Sequence, residues 1–195
     1  ATKVTPDVIE AATNLKVIGR AGIGVDNIDV AAAGKKGIVV MNTPEGNIIT
    51  TAEHTMALML SMSRNIPQAR SMLKDQKTWA PKKFMGKELH GKVLGIVGLG
   101  RIGTIVAERA KGFQMKILVH DPFISQEYAK KIGVETVKLP DLLKRSDYMS
   151  LHTPSLDGKP LLSTKEFDMV KPGIRIVNCA RGNLIDDKAL IEAIK

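Results

Sequence analysis

The chain has a single cysteine, Cys179, in 195 residues. That excludes an internal disulfide framework and suits a reducing compartment, so the expected location is cytoplasmic. One cysteine and four histidines, with no metal-ligand spacing among them, give no reason to expect a metal site. Aromatic residues make up only 4%. A base-stacking platform therefore has little to be built from, and nucleic acid is not an expected partner despite a net charge of +9. No apolar run approaches the roughly 18 residues that span a bilayer, so no membrane association is expected. The opening Ala1-Thr2-Lys3-Val4-Thr5-Pro6 has no apolar signal core. Acidic residues are outnumbered, 20 against 29 basic ones, and the lysines are spread in short pairs such as Lys35-Lys36, Lys82-Lys83 and Lys130-Lys131. A solvated surface with a small anionic ligand fits that distribution.

What is present reads as α/β. Residues 15–18 and 37–41 form short strands around a Gly-rich turn, Arg20 to Asn27, and an Ala-rich helix that Asp29 opens. Residues 50–63 predict a long helix, capped by Thr50 or Thr51 and apolar almost all round, hence buried between layers or subunits. His54 on it is expected to be a core histidine. Pro67 either interrupts the helical pattern or opens a new turn. Residues 74–91 are a polar surface excursion or a subunit-contact arm. From Gly91 onward the pattern alternates. Strands are expected at 92–97, 116–119, 148–151 and 174–177, and helices at 101–112, 125–132, 163–169 and 186–194. Near-continuous apolar strands alternating with helices predict a doubly wound parallel sheet. The start at Ala1 and the stop at Lys195, inside helical spacing, suggest a piece of a longer chain.

The most informative motif is Gly98-Leu99-Gly100-Arg101-Ile102-Gly103, placed after a buried strand and before a helix. In such a turn the first glycine permits the bend, the second admits a pyrophosphate and the third lets the helix pack on the strand. The helix N-terminus adds free N–H groups and partial positive charge. Asp121 follows Gly103 by 18 residues, at the end of the next strand, where an acid takes ribose hydroxyls. Its charge disfavours a 2′-phosphate, so the expected cofactor is NAD. As a simpler alternative, Asp121 is a turn residue before Pro122. Arg101 either contributes its backbone to the cofactor or is a solvated helix start.

Several segments together resemble the D-isomer-specific 2-hydroxyacid dehydrogenases. They are Gly19 to Asn27, Asn42-Thr43-Pro44-Glu45-Gly46-Asn47, Ala52-Glu53-His54-Thr55, Gly98 to Gly103, His152-Thr153-Pro154 and Asn178-Cys179-Ala180-Arg181-Gly182, in family order. The resemblance implies a remnant of a flavodoxin-like substrate domain at 1–45, then a bridging helix and most of a Rossmann NAD-binding domain at 46–195. It implies that Arg181 is catalytic, holding the substrate carboxylate and polarising the reacting oxygen, as a guanidinium suits. Gly98, Gly100, Arg101, Ile102, Gly103, Asp121, Thr153, Pro154, Cys179, Ala180 and Arg181 are then the cofactor residues. Gly22 and Ile23 would meet the substrate carboxylate, and Arg20 a substrate phosphate. Asn47 either touches substrate or caps the following helix. A nucleophilic role for Cys179 is not expected. His120 and His152 are expected to be structural.

The partner so implied is a small 2-hydroxy or 2-keto acid, phosphorylated in the narrower reading, and the assembly a homodimer or higher homo-oligomer. The family's catalytic histidine and its carboxylate would lie beyond the Arg181 segment, so the 195 residues alone are expected to be catalytically crippled. Glyoxylate/hydroxypyruvate or D-lactate reduction is the alternative within the enzyme class. An NAD-sensing, corepressor-like binding module is the alternative outside it.

Overall fold

The computed structural model describes residues 2–155 and 158–195, and Ala1 lies outside them. The chain divides into two compact units, Ala1–Thr50 and Thr51–Lys195.

In the first unit, α1 (Pro6–Ala11), β1 (Val17–Arg20), α2 (Val30–Lys35) and β2 (Val39–Asn42) follow in order. The strands pair parallel, from Val17↔Val39 to Arg20↔Asn42. Parallel pairing needs a crossover, and α2 supplies it. Asp29 starts α2 as expected, its carboxylate accepting from Ala32 N at 2.8 Å. Ile9, Ala33 and Ile38 form the small core. Both strands start two residues later than the sequence reading placed them.

Helix α3 (Ile48–Ser63) begins before residue 50, so Thr50 and Thr51 sit inside its first turn and do not cap it. Its apolar surface is also less uniformly covered than expected. Ala52, Thr55, Met56, Met59 and Ser63 are buried, whereas His54, Ala57 and Leu58 are exposed. The 3.6-residue period puts the first set on one face. His54 is therefore a surface residue of this chain and not a core one. Asn65, in the left-handed conformation at φ 53°, breaks the helix, and Pro67 lies in the first turn of a new one, α4 (Ile66–Asp75). Proline suits that place because the first helical N–H groups have no partner to lose. Trp79 and Met85 are exposed on the following excursion.

The rest is a five-stranded, all-parallel sheet. Its strands are β3 (Val93–Val97), β4 (Lys116–His120), β5 (Glu135–Thr136), β6 (Tyr148–Leu151) and β7 (Arg175–Asn178), in the order β5-β4-β3-β6-β7. The connecting helices are α5 (Arg101–Gly112), α6 (Gln126–Lys131), α7 (Leu139–Arg145) and α8 (Thr164–Phe167), and α9 (Asp187–Ile194) follows β7. Alternate side chains enter opposite cores. Leu94 and Ile96 pack with Met56, Met59 and the α5 residues Val106, Ala107 and Ala110 on one face. Val97, Met149 and Leu151 pack with Leu142 and Leu143 of α7 on the other. With both faces covered, the domain is doubly wound, as the sequence predicts. The sequence reading missed β5 and α7. The first is only two residues long. The second starts at a proline in its first turn, which a strict breaker rule reads as a stop.

Candidate cofactor and substrate site

The strand order reverses between β3 and β6, and chain leaving these neighbours on opposite sides opens a crevice at their carboxyl ends. Register aligns those ends. Val97 pairs with His120 on one side and with Leu151 on the other, and Leu151 pairs with Asn178. The next residue in each strand is therefore Gly98, Asp121, His152 or Cys179. The structure brings all four exits onto one sheet edge.

Each glycine of the 98–103 turn meets a different surrounding. Gly98 has φ +91°, and a Cβ there would lie 2.7 Å from the His152 carbonyl oxygen. The turn is thus pressed on the β6 exit. A Cβ on Gly103 would come 2.1 Å from the Gly98 oxygen, so α5 is packed as close to the turn as backbone allows. Around Gly100 a Cβ would meet nothing within 4 Å. No protein contact requires glycine there. What its small size leaves is clear space over the N-terminus of a 12-residue helix, which fits a pyrophosphate approaching backbone N–H groups. Arg101 is exposed and Ile102 half-buried at that helix start.

Asp121 does two local jobs. Its Oδ2 accepts from Leu99 N at 2.7 Å and its Oδ1 from Phe123 N at 2.9 Å. The turn role is therefore present, and the same carboxylate also pins the glycine loop. A carboxylate has about four acceptor sites, so these two bonds leave capacity for ribose hydroxyls.

On the far side of the crevice, Asn178 organises the chain after β7. Its side chain donates to the Arg181 carbonyl at 2.8 Å and accepts from Ala180 N at 3.0 Å. Arg181 Nη1 donates to the Ala180 carbonyl at 3.0 Å. Asn183 Nδ2 donates to Ser155 Oγ at 2.8 Å, tying this loop to the one that carries Thr153 and Pro154. Asn178 was only part of a motif in the sequence reading. An asparagine at a strand end before a turn is the signal that identifies it. Cys179 is a free, half-buried thiol.

The two strand-end histidines have structural surroundings. His120 Nδ1 lies 3.2 Å from the Val137 carbonyl oxygen. His152 Nε2 lies 2.8 Å from Ser150 Oγ, and burial lowers its pKa to about 4.

In the first unit, Arg20 ends β1 and its guanidinium lies over Gly22, where any side chain would collide with it. The Gly22 N–H donates to Thr43 Oγ1 at 2.7 Å, and Asn42 Nδ2 donates to the Ile23 carbonyl at 2.8 Å. Thr43 and Asn42 thus hold the turn in shape from the β2 side. Asn47 is exposed, immediately before α3.

Sheet order, glycine turn and acidic strand end define a dinucleotide-binding domain. The family profile described as D-isomer specific 2-hydroxyacid dehydrogenase, NAD binding domain, matches residues 56–195. The chain belongs to that family, and NAD is its cofactor. D-3-phosphoglycerate dehydrogenase of Archaeoglobus fulgidus is 52% identical over 195 residues, all of this chain and 37% of that protein. The enzyme of the same name from Methanocaldococcus jannaschii is 53% identical over 196 residues, with the same coverage. The chain thus spans 37% of the length of these curated relatives. Among solved structures, the D-lactate dehydrogenase of Aquifex aeolicus, complexed with NAD and lactic acid, superposes with a TM-score of 0.89 at 32% identity. That match covers 98% of this chain and 58% of the other. No helix among the described residues is long and apolar enough to cross a membrane.

Proposed function

We propose that this chain is the cofactor-bearing part of an NAD-dependent oxidoreductase that interconverts 3-phosphoglycerate and 3-phosphohydroxypyruvate, the opening step toward L-serine. The observation that carries the dehydrogenase reading is the alignment of the exits of β3, β4, β6 and β7 on one edge, with Asn178 shaping the loop of Arg181. The substrate is inferred from the names of relatives about half identical over the whole chain.

When bound, NAD supplies the hydride acceptor. The backbone of Gly98 to Gly103 would cradle its phosphates, Asp121 would take the adenosine ribose, and Thr153, Pro154, Cys179 and Ala180 would line the nicotinamide side. Arg181 holds the substrate carboxylate and stabilises negative charge on the reacting oxygen. The family resemblance assigns the turn of Gly22 and Ile23 to a substrate carboxylate, Arg20 to a substrate phosphate, and Asn47 to substrate or to the cap of the following helix. Oxidation of the substrate would also require a base for the hydroxyl proton. His152, held near 4 by burial, is a poor proton carrier at neutral pH. We assign that proton to a histidine–carboxylate pair outside these 195 residues, in line with the family resemblance.

A homodimer in the cytoplasm is part of this reading. Leu58, Ile66 and Leu73 are 40%, 53% and 50% exposed along α3 and α4, apolar surface that a second copy would cover.

The full-length protein should be assayed with NAD against 3-phosphoglycerate, D-lactate and glycolate, following NADH. A preference for 3-phosphoglycerate supports the reading. Faster turnover of lactate or glycolate moves it to the sister activities. No turnover, together with NAD-dependent capture of peptides, would favour a binding module.

A further inference from the structure

The edge of the sheet opposite the glycine turn carries a second basic site that the dehydrogenase chemistry does not use. A cavity of about 100 Å³ opens at the amino ends of β3, β6 and β7, lined among others by Lys87, Lys92, Asp147, Tyr148, Lys171 and Arg175. Lys92 precedes β3, Asp147 precedes β6, and Arg175 begins β7. Parallel register therefore gathers them as surely as it gathers the catalytic edge. Strand β3 has five residues, at about 3.3 Å each, so the two edges are roughly 15 Å apart.

The charges in this cavity do not balance. Among the described residues Asp147 is its only acidic lining residue, and both of its oxygens are taken. Oδ2 accepts from Val93 N at 2.9 Å and Oδ1 from Lys171 Nζ at 3.0 Å. Burial pushes its pKa up, but those two hydrogen bonds and the nearby charges of Lys171 and Lys92 outweigh it and leave the carboxyl below its ordinary value. Lys171 is thereby neutralised. Lys87, Lys92 and Arg175 form no ion pair among the described residues.

One wall is fixed in advance. The Arg175 guanidinium lies 5.6 Å from the ring centre of Tyr148, a cation–π distance. The ring is buried, and its hydroxyl is 2.9 Å from Ser63 Oγ. Three cationic residues lining a space large enough for one tetrahedral oxyanion, with one guanidinium held against a buried ring, suit a phosphate group. Planar, multidentate donors and compact ammonium groups both bind such an anion well.

The geometry points to a second anion site in this cavity, one that binds a free phosphate or phosphomonoester dianion through Lys87, Lys92 and Arg175, separately from the NAD crevice. The experiment is calorimetric titration of inorganic phosphate, at fixed ionic strength, into the protein saturated with NAD. Saturation fills the glycine turn, and the Arg20 turn proposed for a substrate phosphate is unaltered in both variants, so only uptake lost in them is assigned to the cavity. Two variants accompany the wild type: Lys87→Ala/Lys92→Ala, whose side chains are exposed, and Arg175→Gln. Saturable uptake by the wild type, weakened at least about tenfold in both variants with NAD affinity unchanged, is the expected result, since each charge-assisted hydrogen bond is worth about a factor of ten or more. No saturable uptake with NAD present, or uptake that both variants retain in full, would overturn the proposal.

Discussion

Leu99 and Asp121 are joined by a 2.7 Å hydrogen bond from the backbone N–H to Oδ2. The residue that selects the ribose in the proposed site thus also fixes the turn meant for the pyrophosphate. Asp121→Ala should therefore loosen the turn and remove the ribose acceptor together. NAD affinity is expected to fall by at least about tenfold, because hydrogen bonds to a charged group contribute about 1.5–3 kcal/mol. Asp121→Asn retains one acceptor oxygen and should fall between. Calorimetry with NAD and NADP reads both effects, and the preference for NAD should narrow in each variant. An Asp121→Ala protein with wild-type NAD affinity would remove Asp121 from the site.

The glycines of the turn should separate folding from binding. At Gly103 a Cβ would sit 2.1 Å from the Gly98 oxygen, so Gly103→Ala should lower stability by about 1–3 kcal/mol, the usual cost of overpacking. Gly100 has φ −71° and open space around the position of its Cβ. Gly100→Ala should leave Tm nearly unchanged, within about 0.5 kcal/mol, yet weaken NAD at least about tenfold by filling the phosphate approach. Thermal melts and NAD titrations on the same samples check the contrast.

His152 should contribute an acid-sensitive element to stability. Burial lowers its pKa from 6.5 to about 4. As pH falls below about 6.5 the unfolded chain takes up a proton that the folded chain refuses. Stability is lost progressively down to about pH 4 and no further from this group. At about 1.4 kcal/mol per unit, the loss is on the order of 3 kcal/mol at most. His152→Gln cannot titrate, and its urea midpoint should vary less between pH 6.5 and 4 than that of the wild type. Parallel curves for the two proteins would contradict the assignment.

Arg181 and Asn178 should respond differently in the full-length enzyme. Arg181→Lys loses the planar fork, and kcat/KM is expected to drop about a hundredfold or more. Asn178→Ala breaks the bonds to the Arg181 carbonyl and the Ala180 N–H. It should lower kcat while leaving the NAD dissociation constant within about twofold, because Asn178 acts on the loop and not through the adenosine half of the cofactor. Steady-state kinetics with separate NAD titrations distinguish the two residues.

The sheet was legible because its strands are short apolar runs between glycine-rich and polar punctuation, and because Gly98 to Gly103 falls between a strand and a helix. The place of Asp121 just past the end of β4 was legible from the sequence. Its bond to Leu99 was not, since register and turn geometry create it. Helix α7 was obscured by Pro140, whose helix-opening role depends on context. The exposure of His54 was hidden because α3 is rich in methionine and leucine on more than one side, and composition does not say which side the sheet covers. The basic cavity was invisible as a pattern. Lys92, Lys171 and Arg175 meet because parallel strands start at one edge, and Lys87, whose N–H donates to the Ser63 carbonyl at 2.8 Å, joins them from the preceding loop.

The most direct measurement is a paired calorimetric titration of NAD and NADP into the protein, repeated with Gly100→Ala. Saturable NAD binding, markedly weaker NADP binding, and loss of most NAD affinity in a variant that melts like the wild type are the expected results. Equal affinity for NAD and NADP, or full NAD affinity in Gly100→Ala, would contradict the placement of the cofactor between the glycine turn and Asp121.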